Sequence, residues 1–200
     1  AYSLDCNSTG CYNTAIGYQS LFNNDTSTFN TAVGYRALYT NTIGVNNTAL
    51  GVTALQNNVS GSFNVAFGCN AIKLNSTGCG NFAAGFCALG LNLTGINNVA
   101  IGACALYCNC AFSNVAIGFC AMYANTTGYA NIAIGSYALL NNTTGYSNIA
   151  HGYNALKNFR SNKNIAIGAV MTGLLVGSVN AAYPDKPIKM MIGYAPGSST

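Results

Sequence analysis

The phrase NTAIG at residues 13–17 returns as NTAVG at 30–34, NTALG at 47–51 and NVAFG at 64–68, and it occurs ten times along the chain. Its closing glycine falls at Gly17, Gly34, Gly51, Gly68, Gly85, Gly102, Gly118, Gly135, Gly152 and Gly168, a period of 17 with two steps of 16. A whole unit approximates N-x-A-h-G-x-x-A-L-x-x-N-x-T-G-x-x, with h apolar, as in NIAIGSYALLNNTTGYS at 131–147. Helix-pair repeats need more than about 30 residues, so a unit this short fits one turn of a solenoid built from short strands. Apolar alternation within the phrase supports a strand, and the recurrent Asn and Gly disfavour a helix. The sequence therefore predicts an all-β chain, a parallel β-solenoid or β-roll of about ten 17-residue coils. At about 4.8 Å per coil it would form a rod of roughly 48 Å.

Stacking coil on coil turns each repeat position into a ladder. The Asn position (Asn13, Asn30, Asn47, Asn64, Asn81, Asn98, Asn114, Asn131, Asn148, Asn164) is unbroken, as expected if side-chain amides bond from coil to coil. The Ala position, from Ala15 to Ala166, is equally unbroken and reads as a site inside a narrow coil. The closing glycine marks a corner that needs positive φ or close backbone approach. A second glycine, at Gly44, Gly61, Gly78, Gly95, Gly128 and Gly145, belongs to a turn worded NTTG. Both 16-residue steps lie where that turn glycine is missing, in YCNCAFSN (107–114) and KNFRSNKN (157–164), which places the lost residue in the turn.

Two arrangements remain for the strand. If alanine points inward, the residues on either side of it (Thr14, Thr31, Thr48, Val65 and onward; Ile16, Val33, Leu50, Phe67 and onward) form an apolar stripe on the surface, which a partner chain would cover. If alanine points outward, the stripe is the monomer's core. The Leu position of the A-L pair (Leu21, Leu38, Leu55, Leu89, Leu106, Leu139, Leu156, with Ile72 and Met122) is core in either case.

Composition narrows function by exclusion. Only 5% of residues are charged, against roughly 25% in ordinary globular domains, so Ser, Thr, Asn, Gly and Tyr supply the polar surface. The net charge of +4 is spread over Arg36, Lys73, Lys157, Arg160, Lys163, Lys186 and Lys189 and makes no nucleic-acid footprint. Asp5, Asp25 and Asp185 are the only carboxylates, too scattered for paired acid and base work. The glycines follow the repeat rather than a phosphate-binding motif. No catalytic, cofactor-binding or metal-ligating residue is assigned, and no enzyme is expected.

Nine cysteines cannot all pair within one chain. Cys87, Cys104 and Cys120 share one position in three successive coils, within disulfide reach by Cα spacing, though in-register neighbours seldom present the required torsion. Cys108 and Cys110 form a CNC pair in the shortened coil, while Cys11 and Cys79 share a position four coils apart. These thiols read as small apolar filler with one or two bridges, or as a strip for a soft metal. His151, the only histidine, replaces an aliphatic; it is either an incidental substitution or, on a three-fold axis, a local anion or metal point.

Phrases such as NTAIGYQSL, NTAVGYRAL and NIAIGSYALLNNTTGYSN resemble the head repeats of trimeric autotransporter adhesins and the related repeats of phage tail fibres, over residues 1–168. The resemblance implies a left-handed coil, three chains side by side, and a stiff extracellular rod on a cell or virion surface that presents a receptor-binding tip. Residues 169–182 imitate the apolar part of a signal peptide. Residues 183–200, YPDKPIKMMIGYAPGSST, resemble the start of solute-binding proteins of tripartite tricarboxylate transporters. There the stretch Ala195–Thr200 would help hold a carboxylate, but eighteen residues cannot form a two-lobed binding protein. A fusion or assembly artefact and an ordinary C-terminal cap both account for this end, and the opening CNSTGCYN (6–13) reads as the tail of an earlier unit.

The expected function is a structural fibre or adhesin segment without catalysis. Two alternatives are an ice-binding or other ladder-surface solenoid, because Thr14, Thr31 and Thr48 form a short threonine ladder, and a truncated periplasmic carboxylate-binding fusion. No membrane span and no cofactor are expected.

Overall fold

The computed structural model describes residues 2–168, and the expectations for 169–182 and 183–200 lie outside the described residues. Ten three-residue strands make one parallel sheet in sequence order: β1 (Thr14–Ile16), β2 (Thr31–Val33), β3 (Thr48–Leu50), β4 (Val65–Phe67), β5 (Phe82–Ala84), β6 (Val99–Ile101), β7 (Val115–Ile117), β8 (Ile132–Ile134), β9 (Ile149–His151) and β10 (Ile165–Ile167). Every pairing is in register, Thr31 against Thr48 and Ala32 against Ala49 for example, so like residues lie on like. Hydrogen bonds continue around the coil outside the strands: the Leu55 N–H donates to Ala71 C=O at 3.0 Å, and the Gly68 N–H to Leu50 C=O at 2.8 Å. Strands contact only their sequence neighbours, the hallmark of a one-dimensional stack. The fold is a β-solenoid with a repeat of about 17 residues, as the spacing predicts.

Alanine points inward, which settles the choice that the sequence leaves open. Ala32, Ala49, Ala66, Ala83, Ala100, Ala116, Ala133 and Ala150 are wholly inaccessible to solvent. The alanine of the A-L pair, from Ala37 to Ala155, forms a second buried column, and the Leu position forms a third. Two methyl columns and one long aliphatic per coil fill a cross-section too narrow for anything larger.

The leucine column is reached at a cost. From Leu21 to Leu156 its residues hold φ between 47° and 52°, the left-handed region that side chains disfavour by about 1–2 kcal/mol. Burying a leucine completely contributes about 1.5–3 kcal/mol, which offsets the strain and explains why the column stays aliphatic. Ile72 is the exception, a β-branched residue at φ 47°.

The coil is closed by two buried asparagine ladders, of which the sequence reading identified one. In the first, the Asn98 N–H donates to Asn81 Oδ1 at 3.0 Å, while Asn81 Nδ2 donates to Gly95 C=O at 2.8 Å in the next coil. The second runs Asn24, Asn41, Asn58, Asn75, Asn92, Asn109, Asn125, Asn142 and is equally buried. Asn75 Nδ2 bonds Asn58 Oδ1 at 2.6 Å and closes its own turn on Gly78 C=O at 2.9 Å. In the first shortened coil the same closure spans two residues instead of three, Asn109 Nδ2 to Ala111 C=O at 3.1 Å, so the missing residue does lie in the turn. At the second shortened coil Phe159 takes the asparagine's place, and the buried Asn142 Oδ1 is left without a donor.

Both glycine columns are explained, by different causes. At Gly51 φ is 139°, and an added Cβ would sit 2.6 Å from the Gly68 carbonyl oxygen, so positive φ and close approach act together. At Gly61 the constraint is close approach to the Gly78 carbonyl and the amides of Asn58 and Asn75.

Two substitutions test this packing by urea denaturation. Asn81→Ala removes the acceptor of the Asn98 N–H and the donor to Gly95 C=O, both buried, and should lower stability by about 2–5 kcal/mol. Ile72→Leu restores the column's usual residue at nearly constant volume and should raise stability by about 0.5–1 kcal/mol.

Candidate functional site

Because the central alanine of each strand is inside, its two neighbours project outward and run the length of the sheet as paired ladders. One reads Val99, Val115, Ile132, Ile149, Ile165 over β6 to β10; the other reads Ile101, Ile117, Ile134, His151, Ile167. They are partly or largely exposed, Ile149 by 38% and Ile165 by 63%. Toward the other end the same face carries Ile16, Leu50 and Phe67, with the Phe67 ring edge-on to Phe82 at 6.1 Å. No charged residue occurs in either ladder.

The apolar surface extends past the corner glycines. The residue after the corner glycine gives Tyr18 and Tyr35, stacked at 5.7 Å, and the exposed Val52, Phe86, Phe119 and Tyr153, with the smaller Cys69, Ala103 and Ser136 between them. On the other flank Phe112, Tyr129 and Tyr146 form a continuous ring stack at 4.9 and 5.0 Å. Stacked rings turn only their edges to solvent, so these ladders act as ridges along the rod rather than as flat platforms.

The remaining sequence candidates fall elsewhere. All nine cysteines are free thiols, so no bridge forms within the chain. Cys87, Cys104 and Cys120 do stack in successive coils, each half-buried at left-handed φ of 55°, 56° and 52°. Burial pushes the Cys87 and Cys120 thiols up, with further repulsion from Cys104, and burial with repulsion from Cys110 does the same to Cys108. Cys11 and Cys79 are held apart, each Sγ facing its own turn's carbonyl at Thr9 and Thr77. Among the described residues no three His, Cys, Asp or Glu side chains gather as a metal site would require. His151 stands exposed in its ladder between Ile134 and Ile167, with no second ionisable group in that ladder. No helix among the described residues is long and apolar enough to cross a membrane.

The second asparagine ladder and the A-L alanine column were missed as buried elements. Their signal was periodicity, hidden by the turn-like wording of N-x-T-G. Compared with family models, curated proteins and solved structures, the chain gives no significant match.

The thiols give a direct check on the packing. A maleimide at neutral pH should label the exposed Cys6, Cys11 and Cys110 first, and Cys87, Cys108 and Cys120 markedly later, because a thiol held protonated is a poor nucleophile. Mass spectrometry of digested samples reads the order, and urea should erase it.

Proposed function

We propose that the chain is a structural segment of a surface-exposed fibre, of adhesin stalk or head type, that holds other parts at a distance and is covered by copies of itself along the strand face. The observation that carries this reading is the uncharged double ladder running from β1 to β10, with threonine in one row over β1 to β3 and aliphatic or aromatic side chains from β4 onward apart from His151, on a rod whose coils touch only their neighbours. An apolar strip that continuous is costly in water, and a second copy with the same repeat offers a matching surface. Three copies, an extracellular location and a receptor at the fibre's tip follow from the resemblance to autotransporter and tail-fibre repeats. The scarcity of charge agrees with an extracellular fibre.

Sedimentation equilibrium tests the assembly. A mass of three times the 20.6 kDa chain is expected, and Ile117→Lys with Ile134→Lys should reduce it to that of a monomer that keeps its β circular dichroism. A wild-type monomer would remove the covered-face reading. A spacer should also tolerate loss of a whole rung: deleting residues 69–85 should leave the protein folded and shorten the rod by about 4.8 Å in X-ray scattering.

The threonines Thr14, Thr31 and Thr48 stack in register on the same face, which is the feature that an ice-binding reading would use. That ladder gives way to Val65 after three rungs, so no thermal hysteresis is expected; finding it would move the function to ice.

A further inference from the structure

One ladder lacks a side chain. The residue after the buried leucine position runs Phe22, Tyr39, Gln56, Lys73, Gly90, Tyr107, Tyr123, Leu140, Lys157, so a glycine interrupts a column of long side chains. Beyond the gap, Tyr107 and Tyr123 stack at 5.3 Å with their planes 9° apart. The Tyr107 ring leans over the gap, its Cε2 2.7 Å from where a Gly90 Cβ would be, and a cleft of about 160 Å³ remains between Lys73 and Tyr107. Asn70 and Cys87 line it from a column that precedes the gap in the coil, Leu74 and Leu91 from the column that follows.

Charge makes this place unusual on the rod. Lys73 is the only charged residue between Arg36 and Lys157. The carboxylates among the described residues, Asp5 and Asp25, belong to the N-terminal end of the stack, so the ammonium has no anion in its own coil. Beside it, Asn70 Oδ1 already accepts from Thr53 Oγ1 at 2.5 Å, and its amide N–H groups donate, one toward the Cys87 thiol. A cation and an amide donor at one end, the Tyr107 ring at the other, and leucines along one side describe a planar ligand with one anionic end.

We propose that this cleft binds a small monocyclic aromatic carboxylate, its ring packed against Tyr107, which swings aside from Gly90 to admit it, and its carboxylate on Lys73 and Asn70. Stacking on Tyr107 recognises the ring, and a charge-assisted hydrogen bond to Lys73 recognises the acid. The site is independent of the fibre reading and of how copies associate.

The test is an NMR titration of the full chain with sodium benzoate, with sodium acetate as the control lacking a ring. Saturable shifts centred on Asn70, Lys73, Gly90 and Tyr107 are expected with benzoate and not with acetate. Lys73→Met should weaken binding by up to about fivefold, the upper range for a single exposed ion pair. Gly90→Tyr supplies the missing ring; the nearest atom to its Cβ is Tyr107 Cε2 at 2.7 Å, a side chain that can swing aside, and benzoate shifts should vanish with the β spectrum intact. Should Gly90→Tyr fail to fold, Tyr107→Leu serves instead and should abolish the benzoate response. The proposal is overturned by the absence of saturable shifts, by equal responses to acetate and benzoate, or by benzoate binding that survives Lys73→Met or the ring-site variant unchanged.

Discussion

The structure rests on the requirement that buried polar groups in a coil find partners in their own turn or in the coil next to it. Buried polar groups need a partner, and the asparagines are answered by their own turn or the adjacent rung, with the Oδ1 atoms of Asn142 and Asn154 the exceptions among the described residues. Asn47 shows the economy of the arrangement: its Oδ1 takes the Asn64 N–H at 3.0 Å, and its Nδ2 reaches Gly61 C=O at 2.8 Å. Neither alanine nor aspartate can both accept and donate in that geometry, and glutamine is a methylene too long. The invariance of the Asn position along this one chain is thus a hydrogen-bonding constraint, while that of the Ala position is a constraint of volume.

From these inner constraints the outer surface follows. Fixing alanine inside fixes its neighbours outside, because successive strand residues face opposite ways. The glycine corner turns the chain at positive φ, and the left-handed leucine then re-enters the core at a strain that its burial offsets. What remains free to vary is the outward row, and there the chain changes from threonine to valine, phenylalanine and isoleucine along one ladder without disturbing the register. Any function has to be written on that outer surface.

Much of this was legible in the sequence, since a strict period converts one dimension into columns: the ten strands, the first asparagine ladder, both glycine columns and the place of the lost residues all followed. The direction of alanine did not, because Thr-Ala-Val alternates equally well with either side buried. The second asparagine ladder was concealed because Asn in N-x-T-G is also what an exposed turn would carry, and only its closure on Gly78 and Asn58 makes it core. Positive φ at Leu38 or Ile72 has no residue-type signal, as neither residue favours that region. The cleft at Gly90 was hidden for a different reason: it arises from an absence in a variable column, which a search for conserved wording passes over.

Scalar couplings across hydrogen bonds test the stack most directly. In a labelled sample the Leu55 amide nitrogen should couple to the Ala71 carbonyl carbon, and the Gly68 nitrogen to the Leu50 carbonyl, each one coil away. Couplings from these amides to residues three or four positions distant, or to a neighbour in antiparallel order, would contradict the solenoid and everything built on it.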